Sequence, residues 1–159
     1  SFAYTDHCLG EFIDRLKQLP VWNNLLVICL PDHGSSPTFN VTSPTFYHIP
    51  MLWLGGAIKA PAVIHTLMNQ SDMPATLLGQ LGLPHQDFKY SRNIFSTFYT
   101  YPFAYSTFSD GFMFKDSTGV TIFDNAARKP VYNEPAPDGA REEKGMAILQ
   151  TSYDQLGEN

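Results

Sequence analysis

The hydrophobic pattern of the first thirty residues predicts a helix followed by a buried strand. Between positions 2 and 19, apolar side chains recur at the three- and four-residue spacing of one helical face, and charged residues occupy the other faces. Pro20 ends this helix. The next apolar run, Leu25–Leu30, has the length and flanks of a fully buried strand. Helix, turn and strand form the second part of a β-α-β unit, so we expect a preceding strand outside this sequence.

Two more apolar runs and a second helix follow. Segments 49–54 and 62–67 have the composition and length of short strands. Ser71 has the chemistry of a helix N-cap, and Pro74 suits a first turn. Gly82, with Pro84 beyond it, ends this second helix.

From Phe95 onwards the pattern changes to short, aromatic-rich strands. The predicted strands cover 99–108, 112–115 and 120–123, and the turn residues between them are typical of hairpins. We expect packing, rather than a sugar-stacking surface, to account for the aromatic residues. A proline-rich loop over 130–137 and a helix from about Asp138 complete the chain. Residues 1–94 are therefore predicted to form part of an α/β domain, and residues 95–159 a small antiparallel β subdomain with a closing helix.

Composition excludes some partners. The 159 residues carry a net charge of −5 and no cluster of Lys or Arg, which excludes nucleic acid as the main partner. No apolar run reaches the length of a membrane span, and the first residues lack a signal-peptide pattern. Because the sequence starts without Met and inside a helix, we expect it to be a fragment of a longer protein. Cys8 and Cys29 are expected to be buried free thiols.

Asp32 and His33 are the candidate metal ligands. They follow the predicted strand 25–30 directly, and in open α/β sheets the functional groups gather beyond the carboxyl ends of the strands. A carboxylate oxygen and a neutral imidazole nitrogen suit a borderline divalent ion such as Zn²⁺ or Mn²⁺, and Gly34 allows a sharp turn. The same tripeptide also fits simple turn chemistry, with the Asp capping the next element and the His on the surface.

Four segments together resemble the sulfatase branch of the alkaline phosphatase superfamily. They are Tyr4-Thr5-Asp6 with Leu9-Gly10, Pro31-Asp32-His33-Gly34, His48-Ile49-Pro50 before Met51–Gly55, and Ser71–Leu78 with Leu81-Gly82. The resemblance implies an α/β, alkaline phosphatase-like fold, in which this chain supplies the C-terminal half of a mostly parallel sheet domain, then a small antiparallel sheet and a C-terminal helix. It also implies an enzyme that acts on sulfate or phosphate esters. The nucleophile of such an enzyme would lie upstream of this chain, so the chain alone is expected to be inactive.

The resemblance also implies roles for individual residues. Asp32 and His33 would hold a divalent ion, with Zn²⁺, Mn²⁺, Mg²⁺ and Ca²⁺ all open. Ser35 or Ser36 could hydrogen-bond the substrate, and His48 could face the same cleft. The alternative for the two serines is that they are solvated residues of a surface loop. The alternative for His48 is that its ring is hydrogen-bonded to a backbone carbonyl and has no role in the cleft.

The loop 35–47 contains no Lys, whereas formylglycine-type sulfatases usually carry one there. This favours a resemblance to the lipoteichoic acid synthase-like and phosphoglycerol transferase-like group. Those enzymes are commonly membrane-anchored, with the catalytic domain outside the cytoplasm, so lipid- or glycan-linked esters are candidate substrates. The alternative is a non-catalytic, degenerate sulfatase-like binding module.

Overall fold

The computed structural model of the protein describes residues 2–34 and 40–157. The chain divides into two compact units, Ser1–Gly34 with Ile49–Ile64, and Ser35–His48 with His65–Asn159. The predicted division after residue 94 concerns a larger domain and stays a prediction. No helix in the described ranges is both long enough and apolar enough to cross a bilayer.

The first unit consists of one helix and two short strands. Helix α1 (Phe2–Lys17) is followed by a 3-10 turn (Pro20–Asn24), strand β1 (Val27–Cys29) and, later in the chain, strand β2 (Leu52–Leu54). The two strands pair antiparallel, with Ile28 opposite Trp53. The parallel strands of the predicted sheet are not among the described pairs. Gly55 follows β2 at a φ of +122°, where a Cβ atom would lie 2.1 Å from the Leu25 carbonyl oxygen, so only glycine fits this approach.

The described side chains of the first unit are at most partly buried. Helix α1 contains no buried residue, and the least exposed positions are Leu9, Ile13 and Leu16, which lie on one helical face as predicted. Strand β1 is half-buried along its whole length. The prediction of a fully buried strand is therefore wrong for this chain, because β1 has a single neighbouring strand in the described residues. Cys8 is free but exposed on α1, and Cys29 is free and half-buried.

The first α-helix of the second unit, α2 (Met73–Gln80), ends as predicted. Gly82 adopts a φ of +65°, and the Leu83 N–H donates to the Leu78 carbonyl at 2.9 Å, as in a glycine-terminated helix. The predicted N-cap at Ser71 is wrong. Instead, Asn69 and Asp72 form a capping box around the 3-10 turn Gln70–Asp72, since these two side chains reach each other's backbone.

A four-stranded antiparallel meander forms most of the second unit. Its strands are β3 (Ala104–Phe108), β4 (Gly111–Asp116), β5 (Gly119–Asp124) and β6 (Lys129–Glu134), in that order across the sheet. The strands predicted over 112–115 and 120–123 and both predicted hairpins are confirmed. The strand predicted over 99–108 is confirmed only from Ala104 onwards. Helix α3 (Gly139–Gly157) follows, close to its predicted start.

Two strand predictions are wrong. Strand β6 occupies part of the predicted loop 130–137. Pro130 is tolerated there because β6 is an edge strand and the pairing with β5 shifts register between Ile122 and Phe123. Segment 62–67 forms no strand, and residues 62–66 are exposed. Strand composition alone is insufficient where no neighbouring strand supplies partners.

The core of the second unit lies on both faces of the sheet. On one face Phe112, Phe114 and Phe123 pack together, with Ile148 and Leu149 of α3 against them. On the other face Met113, Val120 and Ile122 pack with Tyr47, Phe108 and Tyr132. The alternation along β4 therefore sends successive side chains into two clusters. Core packing accounts for Phe112, Phe114 and Phe123, as predicted.

Candidate metal centre

Asp32 and His33 lie just beyond the carboxyl end of β1, where the sequence places them. The strand ends at Cys29, and the next residues turn away without regular structure. Both side chains are open to solvent, at 89% exposure for Asp32 and 68% for His33. Each is therefore accessible to an ion and to further ligands.

A backbone carbonyl orients the His33 ring. Nδ1 of His33 lies 2.7 Å from the Gly34 carbonyl oxygen. A carbonyl oxygen only accepts hydrogen bonds, so Nδ1 carries the proton and donates it. In the neutral ring the lone pair is then on Nε2, as in metal-binding histidines whose other nitrogen donates to a carbonyl.

The spacing of the two side chains fits a shared ion. Nε2 of His33 lies 3.7 Å from Oδ1 of Asp32. Two ligand atoms at zinc distances of about 2.0–2.2 Å and a tetrahedral angle would be roughly 3.3–3.6 Å apart. A small side-chain rotation closes that difference, so the spacing is compatible with one shared divalent ion.

The turn interpretation also has support in the geometry. The backbone N–H of His33 donates to Oδ1 of Asp32 at 3.0 Å, a local hydrogen bond that needs no metal. Among the described residues, no group of three or more His, Cys, Asp or Glu side chains is placed to hold an ion. Zinc sites in proteins use three or four protein ligands. A zinc ion at Asp32 and His33 would therefore need ligands beyond this pair.

The structure does not test the other predicted site residues. Ser35 and Ser36 lie outside the described residues. His48 belongs to the second compact unit, where it is exposed at the end of the 3-10 turn Pro44–Tyr47. A role for these three residues in substrate binding stays a prediction.

A cluster of Tyr101, Asp116 and Lys144 was not anticipated from the sequence. The Tyr101 hydroxyl donates to Oδ2 of Asp116, and Nζ of Lys144 lies 2.6 Å from the Tyr101 hydroxyl oxygen and 3.4 Å from Oδ2. The three residues are separated by 15 to 43 positions in the chain, so no local pattern could have revealed the cluster.

The electrostatics of this cluster indicate a structural clamp. Burial alone would raise the pKa of Asp116, but hydrogen bonds from Thr118 and Tyr101 lower it to about 2. Burial and the bond to Asp116 raise the pKa of Tyr101, and the Tyr101 hydroxyl and the Asp116 charge raise that of Lys144. Each group is thus held in its usual protonation state, which is unsuited to proton transfer near neutral pH.

Asp72 lies at the N-cap position of α2. It is fully buried and forms a bidentate ion pair with Arg92, at 2.6 Å and 2.9 Å. It also accepts the backbone N–H groups of Asn69 and Arg92, both at 2.9 Å. The Arg92 guanidinium in turn lies 3.8 Å from the ring centre of Phe103. The carboxylate therefore fastens the chain around residue 92 to the start of α2.

Comparisons with known proteins support the fold and the family. The chain matches the family profile described as Sulfatase over residues 1–83. Arylsulfatase K from Canis lupus familiaris is 34% identical over 91 residues, which cover 52% of this chain and 16% of that protein. Phosphopentomutase from Helicobacter pylori is 32% identical over 94 residues, covering 59% of this chain and 21% of that protein. The chain therefore spans about a fifth or less of these relatives.

A solved structure covers nearly the whole chain. It is described as a protein in the alkaline phosphatase superfamily from Vibrio parahaemolyticus, and it matches with a TM-score of 0.73 at 21% identity, over 96% of this chain and 41% of that one. The predicted alkaline phosphatase-like fold, with its antiparallel sheet and C-terminal helix, is confirmed. Because the Sulfatase profile covers more than half of the sequence, the chain belongs to the Sulfatase family.

Proposed function

We propose that this chain is part of a metal-dependent sulfatase-family hydrolase or phosphotransferase that acts on sulfate or phosphate esters. The observation that carries the proposal is the pairing of the Asp32 carboxylate with the free Nε2 lone pair of His33, 3.7 Å apart at the end of β1. The names of the two relatives, an arylsulfatase and a phosphopentomutase, support sulfate and phosphate chemistry respectively.

The residues of this chain would coordinate the ion from one side. Asp32 supplies a negative oxygen, and the Gly34 carbonyl holds the His33 ring with Nε2 directed away from the backbone. The bound ion would neutralise charge on the transferring sulfuryl or phosphoryl oxygens. Ser35, Ser36 and His48 would contact the substrate. Zn²⁺ and Mn²⁺ suit the mixed nitrogen and oxygen donors best, whereas Mg²⁺ and Ca²⁺ favour oxygen donors alone.

The remaining parts of the reaction would come from outside this chain. A nucleophile and further acidic ligands are required, and in our proposal they lie upstream, so the 159 residues alone are inactive. The absence of a Lys in the loop 35–47 supports assignment to the lipoteichoic acid synthase-like or phosphoglycerol transferase-like group. A lipid- or glycan-linked ester substrate, a membrane anchor and an extracytoplasmic location belong to the same proposal.

Activity of the complete gene product tests this function. We would compare wild-type protein with the double variant Asp32→Ala/His33→Ala, measuring bound metal and turnover of an aryl sulfate and a phosphate diester. The proposal predicts that both metal and turnover are lost, because two adjacent ligands are removed. The matched control is His7→Ala/Glu11→Ala, which removes an exposed histidine and carboxylate pair on α1.

Two outcomes would overturn the proposal. One is a wild-type protein that binds no metal and turns over neither ester. The other is a double variant with unchanged metal and turnover. Either result would leave Asp32-His33-Gly34 as turn chemistry and favour the non-catalytic module.

A further inference from the structure

A cleft in the second compact unit lies between the loop 40–45 and strand β6. It has a volume of about 490 Å³ and is open to solvent. Its polar lining consists of Asn40, Thr42, Ser43, Thr45, Tyr132 and Glu134. None of these residues takes part in the proposed metal centre.

The core of the sheet holds both walls of the cleft in place. On the loop side, Phe46 is buried and Tyr47 packs against Met113, Val120 and Ile122. The Tyr47 hydroxyl donates to the Val41 carbonyl at 2.7 Å. On the strand side, Tyr132 packs against the same cluster. A ligand would therefore meet walls that are ordered in advance, which lowers the entropy lost on binding.

The polar side chains on the walls hydrogen-bond to one another but retain further donors and acceptors. The Thr42 hydroxyl donates to Oδ1 of Asn40 at 2.6 Å, the Ser43 and Thr45 hydroxyls lie 2.8 Å apart, and the Tyr132 hydroxyl donates to Oε2 of Glu134 at 2.5 Å. Among the described residues, no hydrogen bond engages the amide N–H groups of Asn40 or the second carboxylate oxygen of Glu134. The cleft thus offers donors and acceptors on opposite walls.

Charge and shape decide which ligand class fits. Glu134 is the single charged side chain among the described residues of the lining, so phosphate and sulfate groups would be repelled. A carboxylate and an amide together match the hydroxyl groups of a sugar, which both donate and accept. The Tyr132 ring and Val131 offer apolar surface to the C–H face of a pyranose. We propose that this cleft binds a neutral carbohydrate, independently of the metal centre.

Saturation-transfer NMR on the complete gene product tests the proposal. The probes are maltose, cellobiose, lactose, mannobiose and N,N′-diacetylchitobiose. Because the cleft is open and offers few charged contacts, we expect millimolar affinity for at least one of them. Asn40→Ala and Glu134→Gln should each weaken that binding by about tenfold, since each removes a hydrogen-bonding group that faces the ligand.

Control variants distinguish binding in the cleft from non-specific binding elsewhere on the protein. Glu143→Gln removes an exposed carboxylate on α3, outside the cleft, and should leave binding unchanged. Tyr132→Phe keeps the ring and its core packing, so it should retain the fold and at least part of the affinity. The proposal is overturned if no probe binds, if binding survives both cleft variants, or if inorganic sulfate displaces the sugar.

Discussion

At the residue scale, two carboxylates of the second unit bind partners 20 and 15 positions away in the chain: Asp72 binds Arg92, and Asp116 accepts a hydrogen bond from Tyr101. A local pattern indicates only Asp32 and His33 as candidate ligands, because an acid and an imidazole directly follow an apolar strand there. The role of Asp72 could not be foreseen, since its partner Arg92 lies twenty positions away and no local pattern links them. The clamp of Tyr101, Asp116 and Lys144 was missed for the same reason.

Replacing Asp72 with Ala should destabilise the second unit strongly. The change leaves the Arg92 guanidinium without its carboxylate and two backbone N–H groups without an acceptor. Loss of one partner of a buried ion pair costs about 3–5 kcal/mol. Urea unfolding measures this loss. Asp14→Ala is the control, because it removes an exposed ion pair with Lys17 and should cost under about 1 kcal/mol. Equal losses in the two variants would refute the account of Asp72.

Asp116 should make stability depend on acid pH. Its pKa in the folded chain is lowered to about 2 from a usual value of 3.8. A depressed pKa stabilises the fold above pH 4, and that contribution, roughly 2 kcal/mol, is lost as the pH falls from 4 towards 2. Urea unfolding between pH 2 and pH 6 should show a shallower acid loss in Asp116→Asn than in the wild type. Parallel curves for the two proteins would contradict the clamp.

At the element scale, predictions succeeded where the signal was local and failed where it depended on pairing. Helices α1 and α2 and the hairpins joining β3, β4 and β5 follow from periodicity, Gly82 and turn residues. Strand β6 carries a proline and pairs through a register shift, so its sequence looks like a loop. Segment 62–67 looks like a strand but has no strand partner in the described residues.

The docking of α3 on the sheet depends on Gly145. A Cβ atom at this position would lie 2.0 Å from the Phe112 ring. Gly145→Ala should therefore cost about 1–3 kcal/mol through overpacking, although alanine favours helices. Thermal unfolding measures the effect. Gly10→Ala on α1, where nothing lies within 4 Å, should be neutral or stabilising. A stabilising Gly145→Ala would show that α3 packs less closely.

At the scale of the whole molecule, burial is unequally shared between the two units. All the buried apolar side chains of the described residues, from Phe46 to Phe123, belong to the second unit. Helix α1 has none, although its apolar face is well formed. Family membership and the alkaline phosphatase-like fold could be inferred from the order of four short motifs. The unequal burial could not be inferred, because the burial of a side chain depends on which secondary-structure elements pack against it.

Hydrogen exchange should therefore distinguish the two units. Amides of β4 and β5, at the centre of the four-stranded sheet, should exchange much more slowly than those of α1, because opening a helix without buried side chains costs little. Exchange of the 159-residue chain, followed by NMR or mass spectrometry, gives this ranking. Protection of α1 equal to that of β4 would contradict it.

The central claim is that Asp32 and His33 together bind a divalent ion, and Mn²⁺ titration followed by NMR tests it most directly. Paramagnetic Mn²⁺ broadens the resonances of nearby nuclei, so the test needs neither substrate nor turnover. We predict that sub-stoichiometric Mn²⁺ broadens Asp32, His33 and Gly34 before His7 and Glu11, and that Asp32→Asn/His33→Gln abolishes this preference. Equal broadening at the two histidine and carboxylate pairs, or none at His33, would contradict the claim.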